Sequence, residues 1–272
     1  ILTEARCRVT FIHERHNPLF GGRSPAPNLD ALRLLATHVV EDGYDLGLAT
    51  DGDADRIAIV DERGEYITIN DILLLLYWYM HEIRQEKGGV VRNLATTHLL
   101  DRLARRLGEQ CVEVPVGFKH IASAMVAHNS LLGGESSGGL TIRGHILGKD
   151  GIFASALVVE MLARTRQRIS QLRQRVYDLT GRLYSLEDSI PSTSEMRVAV
   201  PRRLAKTPLA EIAGCPVVNV SHRDGTKFYL DNDNWALVRF SGTGPILRLF
   251  AEADSPEKAN ALLQHLRGFV TG

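Results

Sequence analysis

The chain has 272 residues, 44% of them hydrophobic, which is material for about two ordinary domains. Its 32 basic and 32 acidic side chains cancel, which argues against a globally polybasic partner surface for nucleic acid or anionic membrane. The longest apolar run, nine residues over 72–80, falls short of the ~20 that a membrane-spanning helix needs. Three dispersed cysteines, Cys7, Cys111 and Cys215, form neither a disulfide framework nor a metal spacing, as expected for a reducing, cytoplasmic compartment.

In chain order, residues 7–12 alternate like a short strand, and a Gly/Pro-rich loop follows over 18–27. Asn28 is placed as a helix N-cap, with apolar residues at helical spacing to Val40 and a stop at Glu41-Asp42-Gly43. Strands are predicted over 45–50 and 57–61, with an acidic loop between them and a turn at Glu62-Arg63-Gly64. Asn70 can cap a long apolar helix running to about residue 86. A strand over 90–95, a helix over 99–107, a strand over 112–116 and a helix over 119–128 then alternate as in an α/β sheet with crossover helices. After Leu132 comes a glycine-rich loop, then a helical stretch over 150–179 with a break near 168–170. The last third predicts strands over 196–200, 217–220, 227–230, 236–240 and 246–251, and a closing helix over 256–269. The expected fold class is α/β: mixed α/β domains followed by a small α+β C-terminal domain, with boundaries near 65–70 and 180–190.

The strongest chemical signal is Asp51-Gly52-Asp53-Ala54-Asp55-Arg56. Three carboxylates alternate over five residues between two predicted strands, and hard divalent cations take several oxygen ligands. An acidic surface turn is the plain alternative. An EF-hand is a second, since Glu62 falls at its twelfth position, although Arg56 stands where that loop has Gly and the flanks read as strands. A haloacid-dehalogenase-type phosphatase is a third, although Asp55 or Ile57 departs from its usual fifth residue. Arg56 beside a cation suits a phosphate. In Gly133-Gly134-Glu135-Ser136-Ser137-Gly138-Gly139 the glycines permit close backbone approach, and Glu135 and the serines can bind sugar hydroxyls; a flexible loop is the alternative. Arg239-Phe240-Ser241-Gly242-Thr243-Gly244-Pro245 makes a phosphate cradle or an ordinary strand turn. Lys119 follows a strand and Gly117, as a solvated lysine at a helix start also would. His16-Asn17-Pro18 has Arg15 where a nucleophilic loop would have Ser, and Ser221-His222 point to opposite faces of a strand. His81, His98 and His128 read as helix surface or cap residues.

Taken together and in this order, these segments resemble the α-D-phosphohexomutase family, which contains the phosphoglucomutases and phosphomannomutases. The segments over 21–28, 46–56, 116–119, 134–139, 149–151, 224–227 and 239–245 carry the resemblance across nearly the whole chain. It implies four domains around one cleft. Residues 1–66 would be the later part of the second domain, 67–182 the third, sugar-recognition domain, and 183–272 the fourth, phosphate-binding domain. Because Ile1 enters mid-pattern, the chain is expected to be part of a longer protein. The missing partner would be its own N-terminal domains, with the phosphorylated serine of the family reaction, and this piece alone is expected to be inactive.

By the same resemblance, Asp51, Asp53 and Asp55 hold Mg²⁺, Arg56 assists at the phosphoryl group, and Lys119 orients substrate. Glu135 and Ser137 read the sugar, and Arg239, Ser241, Gly242 and Thr243 hold the phosphate that is not reacting. The substrate implied is a hexose phosphate, with no nucleic acid and no membrane as partner. Two departures stand out. Ser136 replaces the middle Glu of a Glu-Glu-Ser-Gly-Gly pattern, although the flanking residues favour glucose phosphate, and Gly244 replaces the Glu of Ser-Gly-Thr-Glu-Pro. A non-catalytic phosphosugar-binding module and a metal-dependent phosphatase are the alternative functions.

Overall fold

The computed structural model describes residues 1–206 and 209–271. Two compact units divide the chain. One holds residues 1–93 and 100–180, the other 94–99 and 181–272. No helix of the described residues is long and apolar enough to cross a membrane.

In the first unit, residues 7–12 are irregular rather than a strand. No strand among the described residues pairs with them, and Phe11 is exposed, so no ladder offsets the cost of extending the chain. The first helix, α1 (Arg33–Glu41), starts later than predicted, because Asn28 Oδ1 caps only a local turn by accepting the Ala31 amide at 3.0 Å. Then β1 (Gly47–Thr50), β2 (Ile57–Val60) and β3 (Tyr66–Ile67) form an antiparallel sheet in that order, with every residue of β2 buried.

The helix α2 (Ile69–Trp78) is apolar and buried nearly all round, as a central core helix is. Thr68, not Asn70, caps it: its hydroxyl oxygen accepts the Asp71 amide at 3.1 Å and its O–H donates to the Asp71 carboxylate at 2.9 Å. A π-helical turn (Tyr79–Ile83) continues the helix. There follow β4 (Val90–Asn93), α3 (Leu99–Leu107), β5 (Cys111–Val114), α4 (Phe118–His128), β6 (Leu132–Gly134), β7 (Leu140–Ile142), α5 (Gly151–Thr165) and α6 (Ile169–Thr180). The sheet order is β5-β4-β6-β7; β4 runs parallel to both neighbours, and β7 returns antiparallel to β6. Arg166, at φ 54°, breaks the predicted long helix between α5 and α6.

Two of the loop glycines prove to be strand residues. Gly133 and Gly134 lie in β6, where a Cβ would run into Met125 of α4 and Leu73 of α2. They are small so that helices can pack on the sheet, not so that a ligand can approach. His81 and His98 are likewise buried rather than on a surface.

Among the described residues, the second unit is a six-stranded antiparallel sheet with two α-helices. In chain order it contains β8 (Tyr184–Pro191), α7 (Ser194–Lys206), β9 (Glu211–Ile212), β10 (Cys215–Ser221), β11 (Thr226–Leu230), β12 (Trp235–Phe240), β13 (Ile246–Ala253) and α8 (Pro256–Thr271). The sheet order is β8-β13-β12-β11-β10-β9. The strand predicted over 196–200 is instead part of α7. Met196, Val198 and Val200 alternate, but Met196, Val200 and Leu204 also fall at i, i+4 and i+8, and it is this helical face that packs into the core. Val198 stays exposed. The sequence pattern predicts no strand at β8, an edge strand most of whose residues are exposed and half of which are Ser, Asp or Glu, as edge strands often are.

Residues 94–99 belong to this unit through a buried polar cluster. Lys227, fully buried, donates to the Leu94 carbonyl at 2.8 Å and lies 3.0 Å from His98 Nε2 and 4.4 Å from the Trp235 ring centre. Glu252 accepts from the His98 amide and the Trp235 indole, both at 2.8 Å.

Candidate functional site

The acidic loop joins β1 to β2, and Asp51 is buried at its start. Its Oδ1 accepts the amides of Asp55 and Arg56, both at 3.1 Å, and its Oδ2 accepts Arg56 Nε at 2.5 Å. Ala54, at φ 58°, completes the turn with its amide on the Asp51 carbonyl at 3.1 Å. Burial works against the Asp51 charge, but the Arg56 amide and guanidinium outweigh it and hold this carboxyl below the usual carboxylate range. The flanking strands remove the EF-hand alternative, which needs helices.

Oxygen atoms of Asp51, Asp53 and Asp55 lie within 4.8 Å of one another. Opposite ligands of a Mg²⁺ at about 2.1 Å are about 4.2 Å apart, so small rotamer changes close the set around one ion. A carboxylate offers about four lone-pair positions; Asp51 commits three, Asp53 is exposed, and all donors are hard oxygens. The residues therefore fit a hard divalent cation.

Three neighbours brace this loop within the same unit. The Gly52 position is covered by the Phe20 ring, and a Cβ there would stand 2.9 Å from it. The Gly151 amide, at the start of α5, donates to the Ala54 carbonyl at 2.9 Å. Lys149 pairs with Asp55, which Arg56 Nε also approaches at 3.5 Å. Lys149 is a site residue marked in the sequence only by its place in the matching segment 149–151, just before the Asp150 cap of α5.

Residues 135–139 form the hairpin between β6 and β7, and its tip lies on the acidic loop. The Ile57 amide meets the Gly138 carbonyl at 3.4 Å, and Gly138, at φ 110°, leaves room for the Arg56 side chain. Glu135 is buried with both oxygens oriented: Ser137 Oγ donates to Oε1 at 2.8 Å, and Asn93 Nδ2 to Oε2 at 3.3 Å. The structure thus brings Asp51, Asp53, Asp55, Arg56, Glu135 and Ser137 together. It does not bring Lys119 to them by any contact: that side chain is exposed in the first turn of α4 and makes no ion pair among the described residues.

In the second unit, Arg239, next to last in β12, has its Nε on Asp224 at 2.9 Å. Gly225, at φ 83°, lets this turn approach, since a Cβ there would meet the Val238 carbonyl and the Arg239 side chain. The serine–glycine loop over 241–245 then returns to β13. The Ser241 amide donates to the Ile246 carbonyl at 2.8 Å, and Ser241 Oγ accepts the Thr243 amide at 3.3 Å. Gly242 and Gly244 border open space. Arg197 reaches in from α7 and donates to the carbonyls of Ser241 and Gly244, at 3.2 and 3.0 Å. With 196–200 read as a strand, no sequence signal placed it there.

Comparison with known proteins places this geometry in context. Three models of one family match: phosphoglucomutase/phosphomannomutase alpha/beta/alpha domain II over 1–64, alpha/beta/alpha domain III over 68–179, and the C-terminal domain over 195–268. A phosphoglucomutase/phosphomannomutase of Thermococcus kodakarensis is 34% identical, over 97% of this chain and 55% of its own length. A Pyrococcus furiosus protein described as a probable phosphoglucosamine mutase is 36% identical, over 94% of this chain and 54% of its own. A solved structure from Thermus thermophilus, provisionally described as a phosphomannomutase, superposes with a TM-score of 0.78 at 33% identity, over 96% of this chain and 54% of that one. The chain spans about half the length of the curated relatives it matches.

Proposed function

Because this chain belongs to the phosphoglucomutase/phosphomannomutase family, we propose that it supplies the metal-binding, sugar-reading and phosphate-holding parts of a Mg²⁺-dependent phosphohexomutase in the cytoplasm. Such an enzyme interconverts hexose 1-phosphate and hexose 6-phosphate through a phosphoserine and a bisphosphorylated sugar. The observation that carries this reading is the gathering of Asp51, Asp53 and Asp55 beside a hairpin that holds a buried, oriented Glu135. An isolated acidic turn would not need that second element.

Phosphoryl transfer is mostly positioning and charge stabilisation. A Mg²⁺ held by Asp51, Asp53 and Asp55 supplies positive charge at the phosphoryl group in transit. Arg56 adds planar donors there, fixed in direction by its Nε bond to Asp51. Glu135 turns its remaining lone pairs to sugar hydroxyls, while Ser137 and Asn93 prevent it from rotating away. Lys119, exposed at the start of α4, is assigned to orient the substrate on the family resemblance alone. Arg239, with Nε engaged by Asp224, offers its terminal nitrogens to the phosphate that does not react, and Ser241, Gly242 and Thr243 add neutral donors. His16-Asn17-Pro18 follows Arg15 rather than Ser, and we assign no residue of this sequence the phosphoserine role, so this chain alone should not turn over substrate.

We assign glucose phosphate as the sugar, on Ser137-Gly138-Gly139; the name of the Pyrococcus furiosus relative favours glucosamine phosphate as a second reading. Calorimetric titration of Mg²⁺ into the chain and into Asp53→Asn tests the metal assignment, with binding expected in the first and weakened in the second. Equal titrations would remove Asp53 from it. Mutase assays of the full-length protein on glucose, glucosamine and mannose phosphates decide the sugar.

A further inference from the structure

We propose that Arg197 is a positioning residue for the phosphate: by bridging the carbonyls at both ends of Ser241–Gly244, it holds the loop's donors in the geometry that receives a dianion. The inference rests on reading this loop as a phosphate cradle.

The loop has few other constraints. A Cβ at Gly242 or Gly244 would meet nothing within 4 Å, so no neighbour fills the side-chain space beside a backbone that glycine already leaves free. Within it, the bonds from the Thr243 amide and hydroxyl to Ser241 Oγ are both 3.3 Å long, at the weak end for such groups, and the firmer bonds lie at its ends, where Ile246 donates its amide to the Gly244 carbonyl at 2.9 Å and accepts the Ser241 amide at 2.8 Å. Beyond it, the Ser192 amide holds the Pro245 carbonyl at 2.8 Å.

Arg197 Nη2 spans the carbonyls of Ser241 and Gly244, with the guanidinium 5.2 Å from the centre of the Phe240 ring. The helix that carries it is itself fixed. Thr193 Oγ1 accepts the Met196 amide at the start of α7, and Val200 and Leu204 anchor its inner face in the core. Both bonds leave one nitrogen, Nη2, whose direction the planar guanidinium fixes while its face lies over the ring; an ammonium at the end of a flexible, unpacked lysine stem would hold the same point less firmly. Drawing both carbonyls toward Arg197 turns them away from a phosphate, whose own needs are N–H and O–H donors. Ordering the loop before binding removes part of the entropy cost of association.

The test titrates inorganic phosphate and glucose 6-phosphate into the wild-type chain, Arg197→Gln, Arg197→Lys, Arg197→Gln with Gly244→Ala, and Arg239→Ala. Affinity is read by calorimetry, and loop order by ¹⁵N relaxation of the Gly242 and Gly244 amides. Arg197 is exposed, so its variants should fold, which thermal unfolding checks.

Arg197→Gln should weaken binding about three- to tenfold and loosen both glycine amides. Lys should recover little of either. Gly244→Ala, which stiffens a backbone not held at positive φ, should restore part of the lost affinity. Full recovery with Lys would mean that charge alone matters and would overturn the proposal. So would unchanged binding by Arg197→Gln while Arg239→Ala loses it, which leaves the cradle reading intact. Absence of phosphate binding by the wild type would overturn both.

Discussion

A side chain added at Gly52, Gly139 or Gly151 would collide with a neighbour, and one at Gly138 would crowd Arg56, whereas at Gly242 or Gly244 it would meet open space. The two candidate phosphate-handling regions are thus held in different ways. Around the acidic loop, backbone presses on backbone and two cations sit on the carboxylates. Around the serine–glycine loop, a few polar contacts from Arg197, Ser192 and Ile246 hold a chain whose two glycines border open space. A cation site needs its ligands gathered before the ion arrives, because three carboxylates repel one another. A phosphate brings its own charge to donors that gain by closing on it.

Substitutions can break this contrast. The largest effect is expected at Gly151, where a Cβ would stand 2.6 Å from the Arg56 carbonyl oxygen and 2.9 Å from that of Ala54. Neither backbone atom can withdraw without opening the acidic loop. Gly151→Ala should cost about 1–3 kcal/mol in denaturant unfolding and lower Mg²⁺ affinity in the same preparation. Unchanged values for both would show that the loop is more compliant than its contacts indicate.

An effect of similar size is expected at Arg239. Truncation to Ala should lower hexose phosphate affinity by about 1.5–3 kcal/mol, against ~0.5–1.5 for Ser241→Ala, because one loses charged bonds and the other a neutral bond. Calorimetry on both variants compares them, and a larger loss at Ser241 would reverse the assignment. Asp150 sharpens the acidic side of the contrast through pH. The Phe153 amide first, and then His145, hold its carboxyl below the usual range at the N-cap of α5. A depressed folded pKa stabilises above the unfolded value, near 4, and that contribution is lost as pH falls through the folded one. Asp150→Asn should therefore cost up to about 1 kcal/mol at neutral pH and progressively less below pH 4, as denaturation midpoints across pH would show. The smallest effect belongs to Gly242→Ala, expected within about 0.5 kcal/mol of wild-type stability.

What could be foreseen followed from how local each feature is. Asp51, Asp53 and Asp55 fall within five residues, so their pattern shows in the sequence before any fold exists. Glu135 and Ser137 share a hairpin for the same reason. Lys149 and Arg197 act on residues 94 and at least 44 positions away, and nothing near either marks that partner. The strand predicted over 196–200 fails because Met196, Val198 and Val200 fit an alternating period while Met196, Val200 and Leu204 fit a helical one, and only the core that the second set enters decides between them. Gly133 and Gly134 looked like ligand glycines because the helices that need their smallness come from elsewhere in the chain.

The excursion of residues 94–99 has a consequence for dissection of the molecule. The chain leaves the first unit after β4, contributes to the second, and comes back before α3 is complete, so three peptide connections rather than one join the two units. A single proteolytic cut near 180 would leave two of them intact. A fragment beginning at Gly181 would take Lys227 along without the Leu94 carbonyl and the His98 imidazole that meet its buried ammonium, and a buried charge stripped of such neighbours is costly. The second unit is contiguous in space but interrupted in sequence, and its natural boundary is a pair of segments rather than a residue number.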